Sequence, residues 1–342
     1  MADTLDDILK KCYNYPYTVE TLLCFISLVT WERTPYSYSF GRRMTTSAEN
    51  QISPNSDVTP DSVIQLSDNI GLVVEIKTSM SRNQDHWRGD INQLLKYDDT
   101  LKGWWTDDES IPVHNVIVLI ETTRWHEFYK YLFSLRDGGE IIFSDNICGT
   151  SFVRAQNTLF IENIIYEQRW GEIKDRELIN KLTGGISIPI ERVKSSYGNI
   201  KFYDSKPEIE YLLSVIWNDI FNPRRQNSTY NKEFRYYPID INIRNLTDEL
   251  QCSFGCIALR GDHSLTQNER EVEFPQLSWV REALDALVEY GMAKKNTNEN
   301  YVVFYKLIKT DLLEYFAKRR LKEKKTKKKI ITERQPMLFP ED

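Results

Sequence analysis

Apolar and polar positions divide the chain into two differently patterned stretches. In the first, short apolar runs alternate with amphipathic ones. TVETLLCFISLV (Thr18 to Val29) repeats its apolar residues at helical spacing, with Thr18 placed as N-cap. A polar stretch full of turn-formers, SAENQISPNSDVTPDS, follows. Val63 to Leu66 reads as a short strand, Ser67-Asp68-Asn69 as a turn, and Ile70 to Lys77 as the returning strand of a hairpin. Trp87 to Leu101 fits a helix with Ile91, Leu94, Leu95 and Leu101 on its apolar side. VIVLIE is a buried strand and HEFYKYLFSL a helix; IIFS and TLFIENIIYE are strand-like. This alternation predicts an α/β unit, a mixed sheet with helices packed on it.

The second stretch is patterned otherwise. Residues 167–205 include the turn-rich TGGISIPIERVKSSYGN and read as a connector. From Pro207 the spacing is helical: PEIEYLLSVIWNDIF, then a polar insert, NPRRQNSTYNKEFRY, and a short strand, YPIDI. Helices RNLTDELQCSF and SWVREALDALVEYG follow, the latter closed by Gly291 as C′ residue. MAKK, the turn NTNEN and YVVFYKLI make a hairpin, and Thr310 caps a last helix, DLLEYFAKRRL. Three helices and then a hairpin is the order of a winged helix. The expected boundaries are an α/β domain over 1–166, a connector over 167–205, a smaller, mostly helical winged-helix-like domain over 206–322, and a flexible basic tail over 323–342.

At 342 residues the chain is long enough for two cores. Its apolar runs are too short to span a bilayer, so no membrane association is expected. MADTLDDILKK carries charges where a signal peptide would be apolar. Cys12, Cys24, Cys148, Cys252 and Cys256 are odd in number and thinly spread, which suits a reducing cytoplasm. Cys252 and Cys256 lack the partners of a zinc set. Net charge is −6, yet Lys318 to Lys329 holds nine Lys/Arg and one Glu, a net +8, which leaves −14 for the rest. Nucleic-acid contact by such a body has to be local or helped by metal ions.

The candidate chemistry sits at the end of the second hairpin strand. Glu75 and Lys77 are two residues apart and therefore project from one face of it. Asp61 precedes the partner strand, and the hairpin brings it close to Glu75. Two converging carboxylates repel each other unless a cation lies between them. Hard oxygen ligands suit Mg²⁺, with water and phosphate completing the shell. A neighbouring ammonium can position a water or stabilise charge on a phosphoryl oxygen. Taken singly, Glu75 and Lys77 also fit a surface salt bridge and Asp61 a turn residue.

Pro60-Asp61 followed by Glu75-Ile76-Lys77 resembles the PD-(D/E)XK nuclease superfamily, over roughly residues 10–130. Gln93-Leu94-Leu95-Lys96-Tyr97 is similar to the Q-x-x-x-Y helix of its RecB-type branch. The resemblance implies a restriction-endonuclease-like fold and a catalytic set of Asp61, Glu75, Lys77, Gln93 and Tyr97. It implies metal ligands at Asp61, Glu75 and Ile76, with Mg²⁺ bound and Mn²⁺ able to substitute. Many members add a glutamate from the first helix; Glu20 is the candidate here, equally readable as a helix-surface carboxylate. Glu49 and Asp57 are alternatives near Asp61. No set of cysteines for an iron–sulfur cluster follows the core. Trp87, Trp104, Trp105 and Trp125 offer stacking surfaces or, more commonly, core. Arg82, Arg88 and Lys96 are candidate phosphate contacts or a solvated face.

The helix at Trp279, Arg281 and Glu282 would be the groove-reading helix of a winged helix. Its acidity favours protein contact or dimerisation equally. Gln335-Pro336-Met337-Leu338-Phe339 resembles the bacterial sliding-clamp pentapeptide, with Gln335, Leu338 and Phe339 as its anchors. The combined expectation is a Mg²⁺-dependent DNA endonuclease of restriction, phage defence or repair. The alternative is a nuclease-fold DNA-binding or adaptor protein that does not cleave.

Overall fold

The apolar runs at 63–66, 70–77 and 116–121 form neighbouring strands of a seven-stranded mixed sheet. The structure, a computed structural model, describes residues 4–31, 35, 37–46, 57–77, 84–97, 99–105, 112–142, 144–163, 170–197, 200–251 and 274–334. Strands β1 (Ser37–Phe40), β4 (Ser62–Ser67) and β5 (Ile70–Lys77) run antiparallel to one another in that order. β6 (Val113–Glu121) and β7 (Ile147–Ala155) then add parallel to β5. β8 (Thr158–Asn163) and β9 (Ile186–Pro189) complete the sheet antiparallel. A two-stranded ladder of β2 (Met44–Thr45) and β3 (Asp57–Val58) stands apart.

The centre of the sheet is buried on both faces, so β5 and β6 read as unbroken apolar runs. One face carries Val73, Val116, Val118, Ile120 and Ile147. It packs on α2 (Gln84–Leu94) through Trp87, Ile91 and Leu94, and on α3 (Thr122–Asp137) through Phe128, Tyr129, Leu132 and Phe133. On the other face, Tyr17 of α1 (Leu5–Thr30) meets Phe152 of β7, ring centroids 6.0 Å apart.

The strand expected over Ile70 to Lys77 is β5, residue for residue. Several other expectations are corrected. Helix α1 begins at Leu5, and Thr18 lies inside it; Thr4 and Asp7 bond reciprocally at its start. Pro16 is accommodated within that helix. Ile141, Ile142 and Ser144 form no strand, and Phe143 lies outside the described residues. β7, which the apolar pattern does not mark, is a central strand. Residues 170–197, expected as connector, fold into α4 (Arg176–Leu182), β9 and α5 (Ile190–Tyr197).

The chain divides into two compact units, the first built on Pro16–Ser205 and containing the seven-stranded sheet. The second takes the chain up to Tyr15, Lys206–Cys252 and the residues from Phe274. In it α6 (Ile209–Val215) runs through a π-helical stretch, Ile216–Phe221, into the one-turn α7 (Asn222–Arg224). β10 (Tyr237–Asn242), α8 (Ile243–Leu250), α9 (Leu277–Glu289), β11 (Ala293–Lys295) and β12 (Asn300–Tyr305) follow, with strand order β10-β12-β11. α10 (Leu312–Arg334) is last. Asp311, not Thr310, caps it by accepting from the Glu314 amide at 2.9 Å. The backbone expected as flexible tail from 323 is helical as far as Arg334. Among the described residues no helix is long and apolar enough to cross a membrane.

Candidate active site

The β4–β5 register pairs Ser62 with Val74, and one further step sets Asp61 opposite Glu75. The Asp61 carboxylate accepts from the Ile76 amide at 2.7 Å, which fixes it against β5. Glu75 lies on the α2/α3 face, one alternation beyond Val73, and is 1% exposed. Lys77 follows on the same face, its Nζ 3.6 Å from Glu75 Oε2. Asp61 is also hydrogen-bonded to Glu75 side chain to side chain, so the two carboxyls share a proton.

Helix α2 supplies the opposing groups. Gln93 Nε2 donates to Glu75 Oε1 at 3.1 Å, and its Oε1 accepts from Lys77 Nζ at 3.4 Å. Tyr97 donates its hydroxyl to the same Glu75 oxygen. The two side chains meet, with Gln93 Nε2 3.2 Å from the Tyr97 hydroxyl. They do not share one continuous helix, however: α2 ends at Leu94, and a tighter turn carries Tyr97, whose amide bonds Leu94 O at 3.1 Å. Asp90 holds Lys77 Nζ at 3.0 Å. The motif did not point to Asp90, yet it stands three residues before Gln93 and so shares its helix face.

Asp204 is the second residue that motif reading misses. It lies beyond α5, within the expected connector, and falls within charge–charge range of Asp61, Glu75 and Lys77. Tyr203 before it bonds the side chains of Ser205 and Thr18. No spacing rule signals such a contribution from more than a hundred residues downstream.

The cluster's acid–base state follows from burial and crowding. Burial, then the charge of Asp61, raises Glu75 well above the usual carboxylate range, against the opposing pull of Lys77 and Tyr97. Burial also raises Asp61, although Lys77 and the Ile76 amide counter it. Burial and Asp61 push Asp204 up to about 8. Burial disfavours the charged form of Lys77, but Glu75, Asp90 and Asp61 outweigh it and raise its pKa. Lys77 is therefore a fixed positive charge.

Glu20 is not brought to this cluster. It pairs with Arg154 of β7 and with Lys194 of α5 at 3.0 Å. Arg154 has the parity of Phe152, which faces α1, whereas Glu75 faces α2 and α3. Asp57 pairs with Arg43. Ile76 is 8% exposed and lies beside Leu119 of β6. Trp87 and Trp104 are core; Trp105 carries Arg42 over its ring at 3.9 Å, and Trp125 stacks on Tyr129 at 4.9 Å. Arg88 pairs with Glu140 at 3.2 Å. Glu49, Arg82, Cys252, Cys256, Gln335, Leu338 and Phe339 lie outside the described residues.

Whether these residues fit a divalent cation can be judged on their chemistry. Among the described residues no three His, Cys, Asp or Glu side chains form a ready-made cage. The carboxylates of Asp61, Glu75 and Asp204 nonetheless crowd together, and Asp204 Oδ1 is buried without a hydrogen-bond partner. Such a set must hold extra protons or a hard cation whose remaining positions go to water and phosphate. The donor set fits Mg²⁺. No known family model, curated protein or solved structure matches the chain.

Proposed function

We propose that the Pro16–Ser205 unit is a metal-dependent nuclease of PD-(D/E)XK type, RecB-like, that hydrolyses phosphodiester bonds in DNA. On this reading the sheet is restriction-endonuclease-like, and the second unit is a winged helix that holds DNA or a protein partner. One observation carries the proposal: Asp61, Glu75, Lys77, Gln93 and Tyr97 converge on one buried point at the end of a strand. Chance motif matches give no reason for residues 36 positions apart to share hydrogen bonds.

A bound Mg²⁺ would be held by Asp61 and Glu75, with the Ile76 carbonyl as candidate ligand, and would supply Lewis acidity toward the phosphate. The protein's own groups do the rest. Gln93 and Tyr97 fix the Glu75 carboxylate in one orientation. Asp90 and Gln93 do the same for Lys77. The Lys77 ammonium is then poised to orient the attacking water or to stabilise charge developing on a phosphoryl oxygen. Its raised pKa keeps it charged throughout the physiological range.

The test is plasmid nicking by the purified full chain with Mg²⁺ and with EDTA. Cleavage is expected only with metal, and Glu75→Ala is expected to lower it by at least about a hundredfold, the order associated with losing a transition-state-stabilising group. Equal cutting by Glu75→Ala and wild type would refute the assignment.

A further inference from the structure

Asp204 belongs to neither motif, and the metal-dependent reading on which this inference rests does not require it. We propose that Asp204 is a third carboxylate ligand of the cation held by Asp61 and Glu75. Its geometry is that of a ligand rather than of a surface acid. Phe202 is buried, and the Tyr203 side chain is tied to Thr18 of α1 and to Ser205, so the backbone at 204 is fixed from both sides. The carboxylate accepts from the amides of Asp204 itself and of Ser205. Its Oδ1 is buried and has no hydrogen-bond partner among the described residues. A buried oxygen left in that state is costly unless something occupies its lone pairs.

Charge counting identifies the occupant. Asp61, Glu75, Asp90 and Asp204 bring four negative charges when ionised, and Lys77 brings one positive charge, leaving three negative. A monovalent partner cannot offset that sum, and a divalent ion offsets most of it. Glu20, the first-helix carboxylate that the resemblance offers for this place, is already held by Arg154 and Lys194. Asp204 reaches the site from the opposite end of the unit's sequence and supplies the missing oxygen. The unit thus closes its metal site only when the segment after α5 is folded against α1.

The experiment is calorimetric titration of the full chain with Mn²⁺, comparing wild type with Asp204→Asn and Asp204→Ser. Both substitutions are expected to weaken binding about tenfold or more, the range seen when groups supporting a metal site are removed. Both are expected to melt in EDTA no lower than wild type, because removing a charge relieves repulsion. Tb³⁺ luminescence lifetimes in H₂O and D₂O add a second reading: loss of one protein oxygen admits about one more bound water. Unchanged Mn²⁺ affinity together with an unchanged Tb³⁺ lifetime would overturn the role of Asp204 and leave the nuclease reading standing. Failure of wild type to bind Mn²⁺ at all would overturn that reading itself. If both variants melt early, the Tb³⁺ water count below the melting temperature decides between ligand and mere scaffold.

Discussion

Lys77 and Glu75 have separable duties. Glu75 is held by Tyr97 and Gln93, and its lost carboxylate would be lost to the metal. Lys77 repels a cation and binds none. Lys77→Ala should therefore keep Mn²⁺ affinity within about threefold while lowering cleavage about a hundredfold or more. Calorimetry beside a nicking assay tests this, and equal loss of binding in Lys77→Ala and Glu75→Ala would make the lysine a structural residue. The carboxylates also set a pH dependence. Unfolded carboxyls ionise near about 4, whereas folded Asp204 holds its proton up to about 8 and Glu75 is raised in the same direction. The folded state then carries more protons than the unfolded state between those values, so apo stability falls as pH rises through that window and levels off above it. Metal competes with the same protons, so Mn²⁺ affinity should rise over the window. Melting curves in EDTA from about pH 5 to about pH 9 should slope downward for wild type and less steeply for Asp204→Asn. Identical slopes would contradict the proton accounting.

Elements differ in how plainly the sequence announces them. β5 is legible because a run of buried β-branched and aliphatic residues ends in two charges of fixed parity. β7 is not, because ICGTSFVRA mixes small and polar residues into a strand whose neighbours do the packing. Gly149 shows why: a Cβ there would lie 2.6 Å from the Trp170 ring, so the tryptophan fills the space that a strand side chain would claim. Asp61, Glu75, Lys77 and Gln93 were readable from spacing alone, since two periodicities and one hairpin set their faces. Asp204 was not, because it arrives through tertiary folding of a segment that looks like linker. Glu20 misleads for a related reason: helical spacing shows that it sits in an apolar helix, not which sheet face that helix covers. The end of α9 is legible down to its hydrogen bonds. Gly291 has φ +67°, its amide bonds Val288 O at 3.0 Å, and the Met292 amide bonds Leu287 O at 2.8 Å, the paired bonds of a Schellman cap. A Cβ at 291 meets nothing within 4 Å, so Gly291→Ala tests backbone strain alone. It should cost about 1–2 kcal/mol, visible in urea unfolding. No change in midpoint would mean that this helix end frays in solution.

The whole molecule is electrically two-part, −14 over most of the chain and +8 over Lys318 to Lys329. Part of that basic run is committed locally: Lys318 pairs with Glu314 at 2.6 Å, and Arg320 with Glu208 at 2.7 Å and Glu210 at 3.1 Å. α10 carries the rest of the run along a helix to Arg334, directly before Gln335-Pro336-Met337-Leu338-Phe339. A basic helix leading into a short apolar peptide suits a clamp that encircles DNA: Leu338 and Phe339 would enter its apolar pocket while the lysines meet the phosphates. We propose this as the recruitment route. Removing Gln335 to Asp342 should leave cleavage of short DNA unchanged and abolish binding to a purified bacterial sliding clamp. The pair Leu338→Ala and Phe339→Ala should do the same, because those side chains are the apolar anchor. A peptide this small buries little surface, so affinity on the order of micromolar is expected for the isolated tail. The full chain on DNA-loaded clamp should bind more tightly, and that gain should shrink as salt rises, since it comes from counterion release along the basic helix. Fluorescence anisotropy of a labelled tail peptide gives the first quantity, and a salt series with the full chain gives the second. No binding to clamps from several bacteria at tens of micromolar would exclude this route and leave the basic helix as a DNA contact alone.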